Sequence, residues 1–167
     1  MLGRDDVKGS PGTKEGRAIV PKQDFNPLLA AGYHPMTWQS LEATCLAPFA
    51  GSATRPTLTK QFEKFIVELR NLGLKGELWV DGSYVTDKLD PSDVDLVFIP
   101  DLVCMPALQA NHSRVHLLFA QLGAKALYNC HAFLASPNDK DFLAYWRGLF
   151  GFCHDEKTPK GMIVITL

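Results

Sequence analysis

Asp93 and Asp95 stand two residues apart at the head of an apolar run that continues through Leu96, Val97, Phe98 and Ile99. On an extended strand, residues at i and i+2 project from the same face. Two carboxylates held that close repel each other unless a cation neutralises them, and oxygen ligands of this kind suit Mg²⁺ or Mn²⁺ together with substrate phosphates. Upstream, Trp79-Val80-Asp81 reads as a strand that ends at Gly82-Ser83, and nine residues separate Ser83 from Asp93. Glycine lets a backbone approach a ligand closely, and the N–H groups of a turn cradle phosphate. Ser83 adds a hydroxyl donor, and Lys88 is a further candidate for contact with a nucleotide. Together these parts set a triphosphate between a donor-rich turn and a metal platform, which is what nucleotidyl transfer requires.

Gly82-Ser83, nine residues, then Asp93-Val94-Asp95 resembles the signature of the DNA-polymerase-β-like nucleotidyltransferase superfamily. It looks most like its minimal nucleotidyltransferases of bacteria and mobile elements. A looser likeness to a little-characterised bacterial family of that superfamily extends from Phe25 to Leu167. It rests on the Pro-rich arm Asn26 to Trp38, the block WVDGSYVTDK, and the run Tyr145 to Gly151 with Lys160-Gly161. The resemblance implies an α/β (α+β) nucleotidyltransferase fold, with a small mixed sheet flanked by helices. It also implies a metal-dependent enzyme that moves a nucleoside monophosphate from an NTP to a hydroxyl on a protein, a tRNA or other RNA, or a small molecule. Toxin–antitoxin or phage-defence systems are the contexts it implies, with a cognate toxin or antitoxin as a partner.

Active members of that superfamily usually carry a third carboxylate on a neighbouring strand. Here the corresponding segment, Leu127 to Phe133, holds no acid, and His131 takes the position. A neutral imidazole can serve as general base, yet it binds Mg²⁺ poorly beside a carboxylate. Two readings follow. In one, Asp93 and Asp95 hold the metal, Gly82 and Ser83 hold phosphates, and His131 positions or deprotonates the acceptor. In the other, the fold has lost catalysis and serves as a binding module, an antitoxin or a regulator.

Other reactive residues have plainer readings. Asp81, Asp87 and Asp90 fit turns and solvation, where aspartate is common. His112 and His116 lie four apart on an expected helix, but with Cys130-His131 and Cys153-His154 they match no standard zinc spacing, so partly buried helix histidines are expected. The four cysteines are widely spaced core fillers. Phe142, Tyr145, Trp146 and Phe150 read as a packed helix face, Arg147 as solvated or salt-bridged, and Lys157 to Lys160 as a solvated basic patch.

The elements that must position these residues are legible from periodicity. Thr37 caps a helix over 38–46. A second helix over 58–72 carries Phe62, Phe65, Ile66, Leu69 and Leu72 on one stripe, and helices are also expected over 107–122 and 140–150. Strands are expected over 77–81, 93–99, 127–134 and 162–167. Residues 1–20 are expected to form a disordered polar tail, and 21–167 one domain that begins with an extended arm. Helices come first and strands then alternate with helices, so a mixed α/β layer is expected.

The bulk numbers bound the class. The 167 residues carry 17 basic and 18 acidic side chains, a net charge of −1, unlike the basic excess of a dedicated nucleic-acid binder. No apolar run approaches the roughly 20 residues needed to span a bilayer. A cytoplasmic protein with reduced cysteines and no membrane partner is expected.

Overall fold

A computed structural model describes residues 24–167; the expected disordered tail over 1–20 lies outside them. The elements, in chain order, are β1 (Gly32–Pro35), α1 (Trp38–Cys45), α2 (Arg55–Asn71), β2 (Gly76–Asp81), β3 (Val94–Pro100), α3 (Met105–Ala110), α4 (His112–Phe119), α5 (Gly123–Tyr128), β4 (Cys130–Leu134), α6 (Lys140–Phe150) and β5 (Gly161–Thr166). Among the described residues the five strands form one mixed sheet in the order β1-β5-β2-β3-β4. β2 runs antiparallel to both β3 and β5, whereas β4 is parallel to β3 and β1 parallel to β5. The protein is therefore a mixed α/β fold. No helix of the described residues is long and apolar enough to cross a membrane.

Strand alternation divides the core in two. Leu78, Val80, Leu96, Phe98, Ala132, Ile163 and Ile165 point to one face, where they meet Leu41, Phe62, Phe65, Leu69 and Leu118 from the helices. Trp79, Val97, Met162 and Val164 point to the other, where α6 lays Leu143, Trp146 and Phe150 over them. Ile99 and Phe133, of the same parity, pack at the edge of this second cluster.

Several elements depart from expectation, each for a local reason. α2 begins three residues early because Pro56 sits in its first turn, where a missing N–H costs nothing. The single helix expected over 107–122 is broken at Asn111, whose amide donates to Leu72 O at 3.2 Å and back to Ala107 O at 3.0 Å. Such side-chain bonding competes with the helical ladder. The strand expected over 127–134 is shorter: 123–128 is helical and β4 starts only at Cys130. The change of direction falls on Asn129, which adopts the left-handed region at φ 50° that asparagine tolerates. His131 and Phe133 do share a face, but Leu127 and Asn129 precede the strand.

The extended arm that opens the domain lies along it where it is described, tied by backbone bonds. Asn26 to Leu28 bonds to the segment after Gly82, through Leu28 N to Val85 O at 3.0 Å and Asp87 N to Asn26 O at 2.8 Å. It then becomes β1, an edge strand. Thr37 caps α1 as expected, its hydroxyl accepting from Ser40 N.

Candidate functional site

β2 ends, and β3, β4 and β5 begin, at one margin of the sheet. In register, Asp81 faces Asp95 across the β2–β3 pair, and Asp95 faces His131 across the β3–β4 pair. Asp93 immediately precedes β3, and Lys160 immediately precedes β5. Asp81, Asp95 and His131 follow the parity of Trp79, Val97 and Phe133, so their side chains belong to the face covered by α6. Three acids, Asp81, Asp93 and Asp95, and two bases, His131 and Lys160, therefore lie along one margin.

Each acid has a basic neighbour. Asp93 Oδ2 lies 2.9 Å from Lys125 Nζ, and Ser92 donates to Asp93 Oδ1 at 3.1 Å. Burial would raise the Asp93 carboxyl, but the bonds from Lys125 and Ser92 and the charges of Lys125 and His131 outweigh it and hold it below its ordinary value. Lys125 is pushed up by its bond to Asp93, by that residue's charge and by the charge of Asp95. Asp95 Oδ1 lies 3.3 Å from His131 Nδ1, and the His131 ring packs on Phe133 with centroids 4.5 Å apart. The two acids of the pair thus share the fields of Lys125 and His131.

Gly82 earns its place through Asp95. Its φ is +75°, and a Cβ built there would stand 1.9 Å from Asp95 Oδ2. The close approach that glycine permits is made by the carboxylate of β3, rather than by a ligand as the sequence implied. Beyond Gly82 a 3₁₀ turn runs to Val85. Arg55 pins that turn from within: it is fully buried and donates to Tyr84 O, Thr86 O, Lys88 O and Cys45 O at 2.6 to 2.9 Å. Burial pushes the guanidinium pKa down, and four carbonyls surround it.

Asp81 and Lys160 overturn their sequence readings. Asp81 is 3% and Lys160 6% exposed, and they form a buried ion pair with Nζ 2.9 Å from Oδ2. Asp81 Oδ1 has no hydrogen-bond partner among the described residues. Burial pushes the Asp81 carboxyl up to about 7, against the pull of Lys160 and the Gly82 N–H, and the Asp95 charge adds to the rise. A charged residue ending a run such as Trp79-Val80, and another opening the run Met162 to Ile165, are signals that spacing alone did not weigh. Lys125 gave no signal, because its helix is six residues long.

The remaining candidates lie elsewhere. Lys88 holds its ammonium 5.6 Å over the Phe25 ring, and no contact among the described residues links it to the acids. Asp87 fastens the arm, accepting from Asn26 N and Nδ2 at 2.9 and 2.7 Å. Asp90 serves a turn, accepting from Ser52 Oγ and the N–H groups of Ala53 and Thr54. His112 and His116 are exposed rather than partly buried, with stacked rings. All four cysteines are buried and unbridged. Leu143, Trp146 and Phe150 pack, whereas Phe142, Tyr145 and Leu149 are exposed, so only half of the aromatic run is a packed face. Arg147 lies over Trp79. A cleft of about 630 Å³ opens between β1, β5 and α2, and no residue of the acid cluster lines it.

Asp93 and Asp95 have the donor set that a hard divalent cation takes, two carboxylates with oxygens on a fixed strand. Among the described residues, three or more His, Cys, Asp or Glu side chains are not gathered as a ready-made metal shell; a cation there would complete its coordination with substrate phosphates and water. A family described as a family of unknown function (DUF6932) matches residues 21–166. No curated protein and no solved structure matches the chain.

Proposed function

We propose that the chain, which belongs to the DUF6932 family, is a metal-dependent transferase of the DNA-polymerase-β-like nucleotidyltransferase type. It moves a nucleoside monophosphate from an NTP to a hydroxyl of a protein, RNA or small-molecule acceptor. The observation that carries this reading is the convergence at Gly82. The Asp95 carboxylate packs on that glycine and meets His131, while Asp93 shares Lys125 with it. A mixed sheet whose central antiparallel pair delivers a Gly-Ser turn and an acid pair to one margin fits the nucleotidyltransferase fold.

Asp93 and Asp95 would hold Mg²⁺ or Mn²⁺, whose chemistry there would be to neutralise phosphate charge. The turn at Gly82-Ser83 offers donors to the β and γ phosphates. A carboxylate only accepts, so Nδ1 is assigned the proton donated to Asp95 and Nε2 keeps the lone pair. Nε2 takes the proton of the acceptor hydroxyl as that oxygen forms a bond to the α-phosphorus. The bond from the α-phosphorus to the bridging oxygen breaks, and pyrophosphate leaves with the electron pair.

One observation favours a second reading, a non-catalytic binding module. Asp93 is already paired with the Lys125 ammonium, and β4 brings an imidazole where a carboxylate is expected. Labelling with each α-³²P NTP, Mn²⁺ or Mg²⁺ and host extract or tRNA as acceptor tests the enzyme. Label that appears with wild type and vanishes with Asp93→Ala and Asp95→Ala supports it. Equal label from those variants overturns it. In a thermal-shift series, stabilisation that needs nucleotide and metal together supports the enzyme, and a complete lack of response supports the module.

A further inference from the structure

We propose that Lys125 is a built-in competitor for the cation at Asp93, released when metal arrives and then paired with the phosphates of the nucleotide. The inference rests on the reading of Asp93 and Asp95 as a metal pair. Its starting point is the contact of Lys125 Nζ with Asp93 Oδ2 at 2.9 Å, which occupies the oxygen that a cation would take. The two ends of that contact differ. The Asp93 side chain is 18% exposed and stays put, whereas that of Lys125 is 49% exposed, on a flexible four-carbon stem that can swing clear.

The backbone that carries Lys125 is held fast. α5 is bounded by left-handed residues at both ends, Leu122 and Asn129. Asn129 O accepts from Val94 N at 3.0 Å, tying the end of α5 to the start of β3. Its Nδ2 donates to Gln61 Oε1 at 2.6 Å, tying it to α2. Lys125 therefore remains beside the acids whatever its side chain contacts.

Charge counting gives the direction of the exchange. Two carboxylates and one ammonium leave one negative charge at the site. A divalent cation added with the ammonium still on Asp93 turns this into one net positive charge and sets two cations against each other. A triphosphate, at about four negative charges, reverses the balance and gives the displaced ammonium a partner. The lysine thus weakens binding of metal alone and strengthens binding of nucleotide with metal, so the two are coupled.

Mn²⁺ binding to the full chain, read by electron paramagnetic resonance at low ionic strength, tests this with Lys125→Met and Lys125→Gln. Without nucleotide, both variants bind Mn²⁺ tighter than wild type by about three- to tenfold. With saturating Mn²⁺, both bind an α,β-methylene triphosphate analogue more weakly by a similar factor, and Lys125→Arg keeps most of that affinity. A purely structural lysine would lower both affinities. Unchanged or weaker Mn²⁺ binding in the variants, with wild type binding normally, overturns the competitor and leaves the metal site standing. If neither wild type nor variants bind Mn²⁺, the metal reading falls and this inference with it.

Discussion

The carboxylate of Asp95 rests against the α-carbon of Gly82, so close that the first atom of any side chain there would stand 1.9 Å from Oδ2. The glycine and the acid are thirteen residues apart in the chain, and β2 and β3 bring them together as antiparallel neighbours. Gly82→Ala meets two penalties, a left-handed φ of +75° and a collision with a carboxylate. The loss expected in urea denaturation is about 2–4 kcal/mol. Adding Asp95→Ala removes the collision and leaves the backbone penalty. The double variant should therefore be more stable than Gly82→Ala alone. Equal stability of the two would show that Asp95 does not press on the turn.

The buried pair of Asp81 and Lys160 carries the second expectation. Removing one partner of such a pair leaves an uncompensated charge in the core and costs about 3–5 kcal/mol. Lys160→Met should lose stability on that scale in denaturant melts at pH 8. Asp81→Asn with Lys160→Met should recover much of it, because no buried carboxylate is then left without its cation. A Lys160→Met protein as stable as wild type would place the ammonium in water.

Much of this geometry was written in local pattern. Glu77 to Asp81 and Asp93 to Ile99 read as strands because β-branched and apolar residues alternate there, and the parity of Asp93 and Asp95 follows from that alone. α6 runs over the expected residues because Asp139 caps it, accepting from Phe142 N. What stayed hidden depends on distant partners. Asp81 and Lys160 are 79 residues apart, and each is unremarkable until β2 and β5 pair. Asn111 breaks a helix through a carbonyl on another element, Leu72 O. Lys125 lies on a turn of helix too short for periodicity to reveal. Local propensity finds elements; charge pairing belongs to topology.

The raised Asp81 carboxyl predicts a pH dependence. Its folded value, about 7, exceeds the ordinary aspartate value of 3.8. Between the two the folded protein holds a proton that the unfolded chain has released. Its contribution to stability is therefore full below about 4 and is lost as pH rises through 7. Urea melts from pH 4 to 8 should show a downward slope that Asp81→Asn removes. A slope of the same size in the variant would assign it to other groups.

Arg55 carries the last expectation, and it concerns the turn rather than the acids. Among the described residues its guanidinium is the one buried group that reaches the carbonyls of Tyr84, Thr86 and Lys88 together, and Phe49 stacks on it at 3.7 Å. Arg55→Met fills part of the volume but leaves carbonyls without donors in a dry site, each costing about 1–3 kcal/mol. Arg55→Lys keeps the charge and loses the planar fork, so it cannot serve four acceptors in four directions. Both variants should be destabilised by more than about 3 kcal/mol, and Arg55→Met by more than Arg55→Lys. Hydrogen exchange should show faster opening at 82–88 before the rest of the sheet yields, since this side chain holds the backbone carbonyls of that segment and, among the described residues, the Thr59–Tyr84 hydroxyl contact alone would then bond it to α2. Uniform exchange across the sheet would mean that the turn draws its order from the strands on either side, and that Arg55 only fills space.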